Sequence, residues 1–191
     1  CLACEVLAKT LQFEHCRTAQ EQYVAAVEEY QPEILFILAR YTDMANFPEL
    51  NSTSKVEPIV EKASRMLKWL SEVTVDHVFV LNALPRPDNA FQVFHTEMLV
   101  KNASVHPAKL LNTTGTQIAR RRVAQAVASC HKCILIDYLP RFTSNGTFRF
   151  YDDDTNVALM NGFWHFTPLG LHRLRPFFKD ICDHISFSKA L

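Results

Sequence analysis

The chain has 191 residues, 48% of them apolar and only 4 of them glycine, which suits one domain, residues 1–191, around a sizeable buried core. Its 20 basic and 20 acidic side chains cancel, so nothing in the charge balance calls for nucleic acid or an anionic membrane surface. The basic run Arg120-Arg121-Arg122 is expected to be a solvated helix face, because phosphate binding spreads many basic residues over one surface.

From Cys16, the positions Ala19, Tyr23, Ala26, Val27 and Tyr30 recur at helical spacing and stop at Pro32. "EILFILAR" (Glu33 to Arg40) is a short apolar run rich in branched side chains, the pattern of a strand buried on both faces of a parallel sheet. Val56, Ile59, Val60, Ala63, Met66, Leu67 and Leu70 then keep the helical period, with Pro58 tolerated in the first turn. "DHVFVLNALP" (Asp76 to Pro85) is a second buried strand, ended by a Pro-Arg-Pro loop. Residues 88–111 are expected to hold a helical turn or two and loop. Gln117 to Ser129 forms a helix that leads into a third strand, "CILIDYLP" (Cys133 to Pro140), with Asp137 as a strand-ending turn residue or, alternatively, a group that binds in the crevice.

Strands of this length separated by helices imply parallel pairing through right-handed crossovers, hence a doubly wound, three-layer α/β sandwich with helices on both faces. "TFRFYDDDTNVALM" follows as a hairpin that turns at Asp152 to Asn156. A final helix opens with Thr167 as N-cap and Pro168 in its first turn, and is expected to bury Leu171, Leu174, Phe178, Ile181 and Cys182.

Four acceptor sequons, at Asn51, Asn102, Asn112 and Asn145, exceed the roughly one expected by chance and argue for a glycosylated surface. The six cysteines Cys1, Cys4, Cys16, Cys130, Cys133 and Cys182 suit disulfides in an oxidising compartment, with the pairing left open. Cys130-His-Lys-Cys133 lacks the second ligand pair that structural zinc needs, and its position between helix and strand does not suit a redox motif. His15, His77, His95, His106, His131, His172 and His184 show no ligand spacing, so no metal and no cofactor is expected. No export signal is visible at Cys1 and no apolar run approaches the roughly 18 residues that span a bilayer. A lumenal chain of this kind is expected to be a piece of a longer one.

A doubly wound sheet binds ligands at the carboxyl ends of its strands, and a histidine in the loop before a last helix can deliver a base there. "HFTPLGLHRLRPFFKDIC" resembles the last block of the SGNH (GDSL-type) hydrolases, whose sheet is flavodoxin-like. In particular it resembles the lumenal SGNH domain fused to multi-pass membrane O-acyltransferases of nematodes and other organisms. His165, Thr167 and Gly170 match the block, with Phe166 in place of the usual leucine. "PEILFILARYTD", "VFVLNALPRP" and "CHKCILIDYLPRF" resemble the third, fourth and fifth strands of that family, in order.

The resemblance implies nucleophilic acyl transfer, with His165 as base and Arg40 and Tyr41 binding substrate or oxyanion. An acyl donor and a hydroxyl acceptor, carbohydrate or lipid, would be its partners, on the extracellular or lumenal face of a membrane. Two departures bear on activity. No Gly-Asp-Ser block occurs in the chain, so on this alignment the first strand and the nucleophile block are missing. Gly162 stands where the family has the aspartate that orients the histidine. Phe163 and Trp164 are expected to pack under the last helix. The rival expectation is a non-catalytic lumenal binding or scaffolding domain of the same fold.

Overall fold

The computed structural model describes residues 6–8, 14–47, 56–101, 110–161 and 165–188, with side chains for all of these except 14–17 and 186–188. The chain forms two compact units, Cys1–Leu84 with Thr114–Asp137, and Pro85–Thr113 with Tyr138–Leu191.

The first unit is mixed α/β. In chain order it contains α1 (Glu14–Tyr30), β1 (Ile34–Ile37), α2 (Thr42–Asn46), α3 (Pro58–Val73) and β2 (His77–Leu81). After the excursion into the second unit, α5 (Thr116–Ala128) and β5 (Cys133–Ile136) complete it. The sheet is parallel, in the order β1-β2-β5, with Leu35 opposite Val78 and Val80 opposite Leu135. It is flanked by helices, as the alternation of apolar runs and helical periods predicted, and the architecture is that of a flavodoxin-like α/β fold. The middle strand is the most covered: every residue of β2 after His77 is buried, whereas Ile134 on β5 is exposed.

The periodic face of α3 supplies Ile59, Val60, Ala63, Leu67 and Leu70 to a core shared with Ile37, Val78 and Val80 from the sheet and Ala119, Val123 and Ala126 from α5. Each fully buried aliphatic side chain contributes about 1.5–3 kcal/mol, so this face, rather than helix propensity, holds α3 in place. Tyr23 of α1 packs beside the same core, and burial pushes its hydroxyl up to about 12.

The basic run on α5 departs from expectation. Only Arg121 is a solvated residue; Arg122 is fully buried and Arg120 is largely covered. Arg122 lies three residues after Ala119 and four before Ala126, on the helix face that enters the core. Its guanidinium is satisfied there. It forms an ion pair with Glu57, the residue before α3, and donates to the carbonyls of Met44 at 2.6 Å and Phe47 at 2.9 Å. The Arg122 hydrogen bond holds the Glu57 carboxyl below its usual range.

The second unit contains β3 (Arg86–Pro87), α4 (Phe91–Lys101), β4 (Leu111–Asn112), a 3-10 turn (Leu139–Phe142), β6 (Thr143–Ser144), β7 (Thr147–Phe148) and α6 (Pro168–Ser188). The pairs β3–β4 and β6–β7 are antiparallel. α4 is longer than the turn or two expected. Phe91 and Met98, seven residues apart, face inward while Val93, Leu99 and Val100 are exposed. Apolar residues all round this helix hide the helical period.

The predicted hairpin survives as a bridge between Tyr151 and Ala158 around the turn 152–156. The core of this unit is aromatic: Phe91, Phe150, Phe148, Phe142, Phe166 and Tyr138 form an unbroken series with ring centroids 5.0 to 6.1 Å apart. Burial in it pushes the Tyr138 hydroxyl up to about 12. On α6, Leu174 is buried, and Phe178 and Ile181 are half-buried, as expected. Leu171 and Cys182 are exposed, against expectation. Gly170 and Leu174 set the inward stripe, so position 171 turns to solvent.

No helix of the described residues is long and apolar enough to cross a membrane.

Candidate functional site

In the first unit Arg40, Tyr41, Asn82 and Asp137 follow the carboxyl ends of the strands. β1 ends at Ile37, and three residues later come Arg40, half-buried, and Tyr41, which is buried. α2 begins directly after Tyr41, whose carbonyl accepts from Ala45 N–H at 3.3 Å. Helix α5 clamps α2 twice. Arg122 binds its last carbonyls, and Gly115, in the left-handed region at φ 70°, packs on Ala45 so closely that a β-carbon would stand 2.7 Å from the Ala45 oxygen. Only glycine fits there. The segment carrying Arg40 and Tyr41 therefore leads into a helix fixed to the core.

The exits of β2 and β5 are tied by Arg120, which donates to Ala83 O at 2.8 Å and forms a two-pronged ion pair with Asp137. Asn82 N–H donates to Ile136 O at 2.8 Å, and the Asn82 side-chain oxygen accepts from Ala83 N–H at 2.9 Å. The sequence allows Asp137 to be a turn residue or a crevice group and does not mark Arg120 as its partner. No local signal links positions 17 residues apart on different elements.

In the second unit, His165 stands where the chain leaves an antiparallel bridge and enters α6. Met160 bridges Phe166. Inside that bridge Asn161 N–H donates to His165 O at 2.9 Å, and His165 N–H donates to the Asn161 side-chain oxygen at 3.0 Å. The backbone is thus fixed on both sides while the imidazole is exposed. Phe166 stacks on Phe142 with centroids 5.1 Å apart, anchoring the residue next to the histidine.

Thr167 is the N-cap. Its hydroxyl accepts from Gly170 N–H at 3.2 Å and donates to Ala158 O at 2.7 Å, so one side chain starts α6 and binds it to the preceding strand segment.

No carboxylate among the described residues hydrogen-bonds the His165 ring. Asp152 accepts from its own turn, at Thr155 and Asp154, and pairs with Arg173; these bonds, led by the Thr155 hydroxyl, hold its carboxyl below the usual range. Asp153 pairs with Arg149 at 3.3 Å. Gly162, Phe163 and Trp164 lie outside the described residues.

Of the sequons, Asn112 on β4 and Asn145 in the β6–β7 turn are exposed, while Asn51 and Asn102 lie outside the described residues. Cys130 and Cys133 form a disulfide between the end of α5 and the start of β5. Cys182 is an exposed thiol on α6 that pairs with no cysteine among the described residues. Cys1 and Cys4 lie outside the described residues, as does the side chain of Cys16.

A family model described as "SGNH domain (fused to AT3 domains)" matches residues 2–180, a span that covers most of both units. No curated protein and no solved structure matches the chain.

Proposed function

Because the chain belongs to the family of SGNH domains fused to AT3 domains, we propose that it is the extracytoplasmic SGNH domain of a membrane-bound O-acyltransferase. It takes part in moving an acyl group to a hydroxyl acceptor, a carbohydrate or a lipid. A serine outside residues 1–191 gives its proton to the His165 imidazole as it attacks the donor's acyl carbonyl; the bond between that carbonyl and the rest of the donor breaks, and the leaving group takes the proton from the ring. The acceptor hydroxyl then attacks the acyl-serine, losing its proton to the neutral ring, which returns it to the serine oxygen as the acyl–serine bond breaks. Arg40 and Tyr41, on the segment after β1, are assigned to the acyl oxyanion.

One observation carries this reading: the His165 backbone is fixed by Asn161 and by the Thr167-capped helix, while its ring is open to a reacting group. The test is acyl transfer by the full-length membrane protein with His165 intact and as His165→Ala. Unchanged transfer in the variant sinks the proposal. An upstream sequence with a signal peptide and no Gly-Asp-Ser block would also count against it.

A second reading, a lumenal binding or scaffolding domain that has lost catalysis, draws on the engagement of Asp152 and Asp153 elsewhere and on Gly162 at the position of the orienting aspartate. In that case His165→Ala leaves function in cells intact while core substitutions such as Phe142→Ala abolish it.

A further inference from the structure

We propose that Asn145 is a modification site with two mutually exclusive fates. It carries an N-linked glycan when the chain matures in a glycosylating compartment; otherwise its side-chain amide is lost spontaneously through a cyclic imide formed with Gly146. The glycan half rests on the lumenal placement proposed above, and the imide half does not.

The geometry is that of a two-residue hairpin tip. Ser144 pairs with Thr147 across β6–β7, leaving Asn145 at φ 48° and Gly146 at φ 74°, the combination of two left-handed residues that a type I′ loop requires. Both residues are exposed, and a β-carbon on Gly146 would meet nothing within 4 Å. Thr147 completes the sequon, so a glycan on Asn145 would project into solvent.

The same openness exposes the amide to its neighbour. The Gly146 N–H makes no hydrogen bond to any described residue, and glycine offers no side chain to hinder ring closure. The Gly146 nitrogen, losing its proton, bonds to the Asn145 Cγ; the Cγ–Nδ2 bond breaks and ammonia leaves with that proton. Water then opens the imide at either carbonyl, giving aspartate or, with the chain rerouted through the side chain, isoaspartate. A sugar on Nδ2 blocks the step, because the leaving group would then be a bulky glycosylamine.

The chain contains its own control. Asn161-Gly162 is the same dipeptide, but the Asn161 side-chain oxygen is held by His165 N–H at 3.0 Å. Asn145 has no such restraint. Isoaspartate at the tip adds a backbone atom to a loop that admits two residues. It therefore disturbs the register that places Phe148, a buried ring 6.0 Å from Phe142 and 5.0 Å from Phe150.

The test ages three preparations of the full chain at body temperature and mildly alkaline pH: made in bacteria, secreted from eukaryotic cells, and secreted as Thr147→Ala. Peptide mapping reads amide loss at Asn145 and Asn161. Glycans are read as the N-acetylglucosamine stub left by an endoglycosidase, since amidase release would itself create aspartate. We expect the bacterial chain and Thr147→Ala to lose the Asn145 amide ahead of Asn161, and the glycosylated chain to keep both. Equal survival of the two amides in the bacterial chain overturns the imide half. Glycans at other sequons with Asn145 bare overturn the glycan half, whereas no glycan at any sequon overturns the lumenal placement instead.

Discussion

A β-carbon built on Gly170 would stand 2.1 Å from the carbonyl oxygen of Leu159. The first turn of α6 is therefore pressed against the strand segment that leads to His165, and only a residue without a side chain permits it. This gives a physical reason for the glycine in the Thr-Pro-x-Gly helix start, independent of any family pattern. Gly170→Ala must push the helix from Leu159, or lift residues 158–160, at a cost of about 3 kcal/mol. Urea denaturation measures it. For contrast, Gly146→Ala meets no atom within 4 Å and should cost only the left-handed backbone penalty, about 1–2 kcal/mol.

Thr167 is expected to be sensitive to loss of its hydroxyl but not of its methyl group. Thr167→Val keeps the shape and removes both the cap to Gly170 N–H and the bond to Ala158 O, costing about 1–2 kcal/mol. Thr167→Ser retains both bonds and should lie within about 0.5 kcal/mol of the parent protein. Equal destabilisation by the two variants would show that packing, not capping, sets the helix start.

The Glu57–Arg122 pair makes a different kind of prediction. Glu57→Gln leaves the fully buried Arg122 cation without its counter-ion, a change worth about 3 kcal/mol. Glu57→Gln with Arg122→Met removes the stranded charge and should recover part of that loss. The pH dependence has a definite sign. Because the Glu57 pKa is lowered on folding, its contribution is present above the ordinary value of 4.5 and is lost as pH falls through the folded value. Thermal melting of parent and Glu57→Gln across this range should show the gap between them closing in acid. A constant gap would refute the coupling.

The parts of the fold that were legible in the sequence are those whose energetics are local or periodic. Ile59, Val60, Ala63, Leu67 and Leu70 announce α3 because one face of a helix must be apolar to be buried. The three apolar runs announce parallel strands because a covered sheet tolerates little else.

The charge of Arg122 points to exposure, but its spacing from Ala119 and Ala126 puts it on the buried face of the helix. Leu171 faces solvent because the close approach of Gly170 to Leu159 selects the neighbouring stripe of α6 as the inward one. At the candidate site, Thr167 and Gly170 carry a local capping signal that marks the His165 loop. The Arg120–Asp137 tie and the engagement of Asp152 with Arg173 are tertiary facts, carried by partners far apart in the chain.

These engagements decide what the 191-residue chain can do by itself. An ester-hydrolysing serine needs a base to take its proton, and that base needs a group to hold the imidazolium. His165 is open to solvent, but no Gly-Asp-Ser block is present in the sequence, Asp152 is bound to Thr155 and Arg173, and Asp153 is bound to Arg149. The isolated chain should therefore show no ester hydrolysis above the uncatalysed rate with short acyl esters of a chromogenic alcohol. His165→Ala should leave that baseline unchanged. Turnover that disappears in His165→Ala would show that residues 1–191 carry a nucleophile of their own. Transfer that appears only when upstream residues are restored, and is then lost in His165→Ala, would place the serine outside this stretch and the base within it.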